Sequence, residues 1–248
     1  MTMTNLIPEP RAVRVKHVPD FKLDTYLPTK KDFGDFSLSA NMAAGKWTVL
    51  VFYPADFTFV CATEFSSLAE LYPQFQKLGA EVVTVSTDTK FTHLAWQEHE
   101  GELKGVTYPM GADPTARVSK QFGVYLEDAG VDLRGTFIID PKGKLVSAEV
   151  NFLNLGRNME ELLRKVDANI YLSKAPAEAC PAKWKKAGDT TLKPGAHMVG
   201  KVSRRPWARS DRVSHSNSVT SSGPRPPSRK ARAVCVWVDA AGKKPRTA

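Results

Sequence analysis

Trp47-Thr48-Val49-Leu50-Val51-Phe52-Tyr53 is an unbroken run of apolar, β-branched and aromatic residues, the pattern of a strand buried on both faces. Pro54 ends it. Beyond a short loop, Phe65, Leu68, Leu71, Tyr72, Phe75 and Leu78 recur at three- and four-residue intervals up to Gly79, which predicts an amphipathic helix closed by a C-cap glycine. Cys61 falls in or near the first turn of that helix. Free backbone N–H groups and the positive end of the helix dipole lie there, and both favour an anion over a neutral thiol.

That placement alone is not enough to make the sulfur reactive. An ordinary thiol is only ~3% ionised at neutral pH, and making it mostly thiolate takes roughly 3 to 4 kcal/mol. A helix end supplies ~0.3 to 1 kcal/mol, or up to ~2 when partly buried, so a cation close to the sulfur is also required.

Composition narrows the remaining choices. Residues 1–200 carry 23 Lys and Arg against 24 Asp and Glu, whereas the last 48 residues carry 12 against 2. The basic excess thus sits wholly in the tail, and the main body has no compositional case for binding nucleic acid. Three cysteines, Cys61, Cys180 and Cys235, are too few and too widely spaced for a disulfide framework or a zinc site, so no metal or other cofactor is expected. No stretch has the length of a membrane span or the plan of a secretory signal, and a cytoplasmic location follows as the expectation.

Along the chain, residues 1–31 read as irregular, with an edge strand over residues 12–18, and residues 32–38 alternate like a strand. A turn is expected over residues 41–46. Residues 81–86 form a second buried strand, with Thr87 or Asp88 placed to cap a helix that carries Phe91, Leu94, Ala95 and His99 on one side, and Phe91 and Trp96 read as core or interface residues. His93 and His99, six apart, do not share a face for a metal and read as packing or exposed residues. Residues 108–114 are turn-rich, and a short helix follows over residues 115–122. Residues 135–140 and 144–150 flank Pro141-Lys142-Gly143 as an antiparallel hairpin. Asn158 caps a helix bearing Met159, Leu162, Leu163, Val166 and Ile170 on one face, which Pro176 ends. Crossover strands, a hairpin and a covering helix are the order of a thioredoxin-like α/β fold, here with an N-terminal addition and insertions. From residue 203 the chain turns Ser-, Pro- and Arg-rich without periodicity and is expected to be disordered.

Three segments together resemble the typical two-cysteine peroxiredoxins, in particular their alkyl hydroperoxide reductase C branch. They are Phe52-Tyr53-Pro54 with Thr58-Phe59-Val60-Cys61-Ala62-Thr63-Glu64, then Leu133-Arg134-Gly135-Thr136-Phe137, and finally Glu178-Ala179-Cys180-Pro181-Ala182-Lys183-Trp184. The likeness implies a peroxidase domain over residues 1–175, an arm over 176–202 with the resolving cysteine, and a basic tail over 203–248. Cys61 is then the peroxidatic cysteine, Thr58 and Arg134 hold the peroxide oxygens, Pro54 covers the thiolate, Glu64 orients an arginine network, and Cys180 resolves from the partner subunit.

The resemblance further implies hydroperoxide substrates, a protein dithiol reductant such as a flavoprotein disulfide reductase or thioredoxin, and homodimers that join into decamers. Nucleic acid is not an expected partner except non-specifically through the tail. Gly101-Glu102-Leu103-Lys104-Gly105 stands near the insertion that marks overoxidation-sensitive members, and no Tyr-Phe follows Cys180, which predicts the resistant type. A non-enzymatic alternative stays open at this point: a holdase built from the same subunits, or a nucleic-acid protein acting through the tail.

Overall fold

The computed structural model describes residues 17–202, and the expected tail, Cys235 and most of the expected edge strand over residues 12–18 lie outside them. Of that strand, His17 makes an isolated antiparallel bridge to Lys144. The elements in order are β1 (Lys22–Leu27), β2 (Asp32–Ser37), α1 (Leu38–Ala43), β3 (Trp47–Phe52), α2 (Phe59–Lys77), β4 (Ala80–Ser86) and α3 (Lys90–His99). Then follow β5 (Met110–Ala112), α4 (Arg117–Phe122), β6 (Tyr125–Leu126), β7 (Val131–Asp132), β8 (Arg134–Ile139), β9 (Leu145–Asn151) and α5 (Met159–Lys174).

A seven-stranded sheet in the order β2-β1-β5-β4-β3-β8-β9 forms the centre. β3, β4 and β5 run parallel, and the other pairings are antiparallel, so the expected mixed sheet with a parallel part is present. All six residues of β3 are buried because each face has a cover. Trp47, Val49 and Val51 join a cluster with Phe65, Leu68 and Phe75 of α2 and Leu162, Val166 and Ile170 of α5. Leu50 and Phe52 join the opposite cluster with Leu38 of α1 and Val118 of α4. Each such side chain contributes ~1.5 to 3 kcal/mol by leaving water, and a strand fed by two cores has no polar face to alternate with.

Where local signals were strong, the elements stand as read. Asn158 caps α5 by accepting from the Glu161 N–H, Gly79 follows α2 at φ 76, and β8 pairs with β9 as a hairpin. Four readings need correction. Residues 22–27 form β1, because tertiary pairing to β2 and β5 outweighs weak local pattern. The turn expected at residue 41 begins as the short helix α1, whose cap is the Ser37 hydroxyl. The cap of α3 is Thr89, and Phe91 is exposed, while Leu94 packs on the core and Trp96 is buried as read. The turn-rich stretch at 108–114 contains β5, three residues that hold an inner place between β4 and β1. Gly111 permits that place, since a Cβ there would lie 3.0 Å from the Thr84 carbonyl oxygen.

Gly135 sits at a second tight approach, where a Cβ would lie 2.6 Å from Val124 Cγ1 and 2.9 Å from Phe137 Cε2. Gly135→Ala should therefore destabilise the fold by about 1 to 3 kcal/mol, the usual cost of overfilling a packed site. Urea denaturation checks this: a midpoint equal to that of the parent would mean that the site relaxes freely.

Candidate active site

β3 carries the chain to the end of the parallel strands and releases it at Pro54 into a loop that must turn sharply into α2. Phe57 makes the turn at φ 57, a region that bulky residues seldom enter. Buried polar bonds hold this loop in shape. Tyr53 Oη donates to Asp56 Oδ1 at 2.6 Å, Asp56 Oδ2 pairs with His93 Nδ1 at 2.8 Å, and His93 Nε2 donates to the Gly111 carbonyl at 3.1 Å. The Asp56 N–H donates to Asp88 Oδ2 at 2.9 Å. His93 is thus the packing residue expected of it, with the added task of tying the loop to α3 and β5. His99 is exposed, and its Nδ1 bonds the Ala95 carbonyl.

Thr58 is the N-cap of α2, yet its hydroxyl makes no cap bond to the helix. It donates instead to the Ala55 carbonyl at 2.7 Å, so the lone pairs of Oγ1 are what it offers to any ligand at the helix start. Cys61 is the third residue of α2 and is fully buried. Its N–H belongs to the first turn, whose donors have no carbonyl four residues back. Glu64, one turn on, lies on the same side of the helix.

Arg134, the first residue of β8, supplies the cation that the helix end could not. Its Nη1 lies 3.2 Å from Cys61 Sγ and 2.8 Å from Glu64 Oε2, and its Nε donates to the Leu153 carbonyl at 2.7 Å. Pro54 is half-buried at the mouth of the loop. The structure therefore brings together Cys61, Glu64 and Arg134 at the start of the helix that Thr58 caps, with Pro54 four residues before that cap.

Arg157 belongs to the same set and was not singled out in the sequence. Its backbone N–H and Nε donate to Glu64 Oε1 at 2.7 and 2.9 Å, and its Nη2 donates to Oε2 at 2.8 Å. Nη1 reaches the Gly135 carbonyl and Thr136 Oγ1. A signal for it existed: Arg157 immediately precedes the Asn158 cap, and a cation at the positive end of a helix is unfavourable unless an anion faces it. Gly156 allows the approach, since a Cβ there would stand 3.2 Å from Val60 Cγ1.

Burial by itself would push the Glu64 carboxyl up, but the bonds and charge of Arg157, together with Arg134, hold it below the usual carboxylate range. Two guanidiniums around one carboxylate leave this buried cluster with one positive charge in excess, a charge that an anion at Cys61 Sγ would balance.

Cys180 lies elsewhere, half-buried on an arm that folds back over α5. The arm is fastened by paired backbone bonds between Ala179 and Leu192, by Tyr171 Oη and Thr191 Oγ1 donating to Glu178, and by Arg164 Nη1 donating to the Trp184 carbonyl. Burial pushes the Cys180 thiol up, Arg164 opposes this, and Asp167 and Glu178 add to it. Cys61 and Cys180 are both free thiols, and the groups acting on Cys180 are none of those around Cys61. Among the described residues no group of His, Cys, Asp and Glu is arranged to hold a metal, and no helix is long and apolar enough to cross a membrane.

The chain resembles known proteins in sequence and in fold. Residues 15–148 match the model of the AhpC/TSA family. The chain is 42% identical over 187 residues to an alkyl hydroperoxide reductase C of Staphylococcus saprophyticus, covering 75% of this chain and 97% of that protein. It is 45% identical over 172 residues to the protein of that name from Amphibacillus xylanus, covering 69% and 90%. Among solved structures it resembles Enterococcus faecalis AhpC with a TM-score of 0.64 at 37% identity, covering 67% of this chain and 98% of that one. It also resembles the reduced 2-Cys peroxiredoxin of Plasmodium vivax, with a TM-score of 0.69 at 32% identity and coverage of 75% and 97%.

Proposed function

This chain belongs to the AhpC/TSA family, and from that premise we propose how its residues carry out thiol-dependent reduction of hydrogen peroxide and organic hydroperoxides. One observation carries the assignment: Arg134 Nη1 bridges Cys61 Sγ and Glu64 inside a sealed, net-positive cluster. The Cys61 thiolate attacks one peroxide oxygen, the O–O bond breaks, and the departing oxygen leaves with the electron pair and takes up a proton as water or an alcohol. The Cys61 sulfur becomes a sulfenic acid. Negative charge grows on the departing oxygen, where Arg134 and the first-turn N–H groups of α2 are placed as donors. Thr58 Oγ1, with its own proton on the Ala55 carbonyl, accepts from the peroxide O–H and orients it. Glu64 and Arg157 hold Arg134 in place, and Pro54 shields the sulfur from water.

The Cys180 thiol of a second copy then condenses with the sulfenic acid, forming the S–S bond and releasing water, and an external protein dithiol reduces that bond with two electrons. A flavoprotein disulfide reductase or a thioredoxin fits this requirement. Two apolar surfaces suit assembly into dimers and then decamers: one beside the edge strand β9, with Val150, Phe152 and Leu155 exposed, and one at the active-site loop, with Phe57 and Phe59 exposed. The division into peroxidase domain, resolving arm and tail is part of the same reading, with the tail dispensable for turnover.

Non-reducing electrophoresis tests the cycle. Peroxide treatment should give a covalent dimer in the parent protein and in Cys235→Ser, and none in Cys180→Ser. Monomer alone in the peroxide-treated parent would reject the intersubunit step.

A further inference from the structure

Away from Cys61, three buried polar groups meet where the β6–β7 hairpin lies on α4. Ser119 Oγ is 3.0 Å from Asp113 Oδ2 and 2.8 Å from Asp132 Oδ2, and Ser119 and Asp132 have no exposure at all. A hydroxyl has one proton to give, so it cannot serve two carboxylates at once. Asp113 has donors of its own: its Oδ1 accepts from the Arg117 N–H at 3.0 Å and its Oδ2 from the Ser119 N–H at 2.8 Å, both at the start of α4. One of the two contacts therefore calls for a proton on the carboxyl, and Asp132, with no other donor beside it, is the carboxyl suited to carry it while Ser119 gives its own proton to Asp113. Asp132 Oδ1 is buried with no partner, which a neutral carboxyl tolerates far better than a carboxylate.

The surroundings agree. Burial is the largest effect on Asp132 and pushes its carboxyl up to about 7; the Ser119 hydroxyl opposes this only when it donates to Asp132, while Asp113 from the β5–α4 turn and Asp88 from the loop after β4 add negative charge nearby. The cations of α4 are engaged elsewhere, Arg117 on the Lys22 carbonyl and Lys120 with Glu127.

Asp132 stands two residues before Arg134. The Gly135 N–H donates to the Leu133 carbonyl at 2.8 Å, closing a tight turn centred on Arg134, and the Leu133 N–H donates to the Val124 carbonyl of the chain entering the hairpin. That turn redirects the chain so that Asp132 faces α4 and Arg134 faces α2. Gly135 packs against Val124 with no room for a Cβ, so a shift of the hairpin is passed on to the turn.

We propose that Asp132 is a positioning residue for Arg134, its carboxyl proton latching the β6–β7 hairpin to α4 so that loss of the proton loosens the turn that aims Arg134 at Cys61. This rests on the role of Arg134 given above. A carboxyl that holds its proton more tightly when folded stabilises the protein fully below the ordinary carboxylate range, and that stabilisation is lost as pH rises toward about 7. Peroxidase activity at alkaline pH is therefore held back by Asp132.

Asp132→Asn keeps a donor to Ser119 and removes the charge. From about pH 5.5 to about pH 8.5, its melting temperature should rise relative to the parent, and the variant-to-parent ratio of kcat/KM for peroxide should grow by about 2- to 10-fold. A ratio of kcat/KM that stays level overturns the proposal, whether or not the melting gap widens. Should Asp132→Asn fail to fold, Ser119→Ala removes the acceptor of the latch, and a pH profile of kcat/KM superimposable on that of the parent overturns it equally. Peroxide turnover that survives Cys61→Ser would instead defeat the underlying reading of the active site, whatever these ratios show.

Discussion

Cys61→Ser should lose peroxide turnover with dithiothreitol as reductant by at least ~10³-fold, as expected when a nucleophile that forms a covalent intermediate is removed. A serine hydroxyl is no thiolate, and it cannot store the oxidising equivalent as a sulfenic acid. The substitution is mild for the fold. Ser occupies nearly the same volume, and its oxygen can accept from Arg134 Nη1, which lies 3.2 Å from the sulfur it replaces. Unaltered circular dichroism with abolished turnover is the expected pair of results. Turnover within a few-fold of the parent would reject the enzymatic reading and return attention to a holdase.

The second large effect is on stability. Glu64 accepts four of the bonds that arginines make in the cluster, three from Arg157 and one from Arg134. Glu64→Gln preserves shape and removes the carboxylate that the two buried guanidiniums share. Breaking a buried pair from one side costs about 3 to 5 kcal/mol. Urea denaturation at neutral pH should show that loss, and peroxidase activity should fall with it as Arg134 loses its second anchor.

The effect has a predictable pH dependence. The folded-state carboxyl of Glu64 titrates below its ordinary value, so its stabilisation is complete above the ordinary carboxylate range and disappears as pH falls through the folded value. The stability gap between parent and Glu64→Gln should therefore close on acidification. A gap that is constant with pH would mean that the carboxylate charge is not what holds the arginines. Asp132 has the opposite sign, so the two buried carboxylates separate cleanly in a pH series.

Much of this was legible before any coordinates. The Trp47–Phe52 strand, α2 with Cys61 at its start, the Asn158 cap and the β8–β9 hairpin are each specified by local chemistry: an apolar period, a cap, a turn residue. β5 was not, because three residues with a glycine at their centre have no period of their own and become a strand only when β4 and β1 provide partners on both sides. The exposure of Phe91 on α3 has a related cause. The buried positions are those facing the loop and sheet, and a polar His93 belongs there because Asp56 and Gly111 satisfy it.

The chain by itself determined a cysteine at a helix N-terminus that needed a cation, together with the residue types able to supply one. Which cations meet it, and how they are held, only the tertiary structure decided. Arg134, Arg157 and Glu64 are distant in sequence, and a buried charge is tolerable only where its counter-charges converge. The same rule, acting on Asp113, Ser119 and Asp132, leaves a proton where the sequence shows only one more acidic residue.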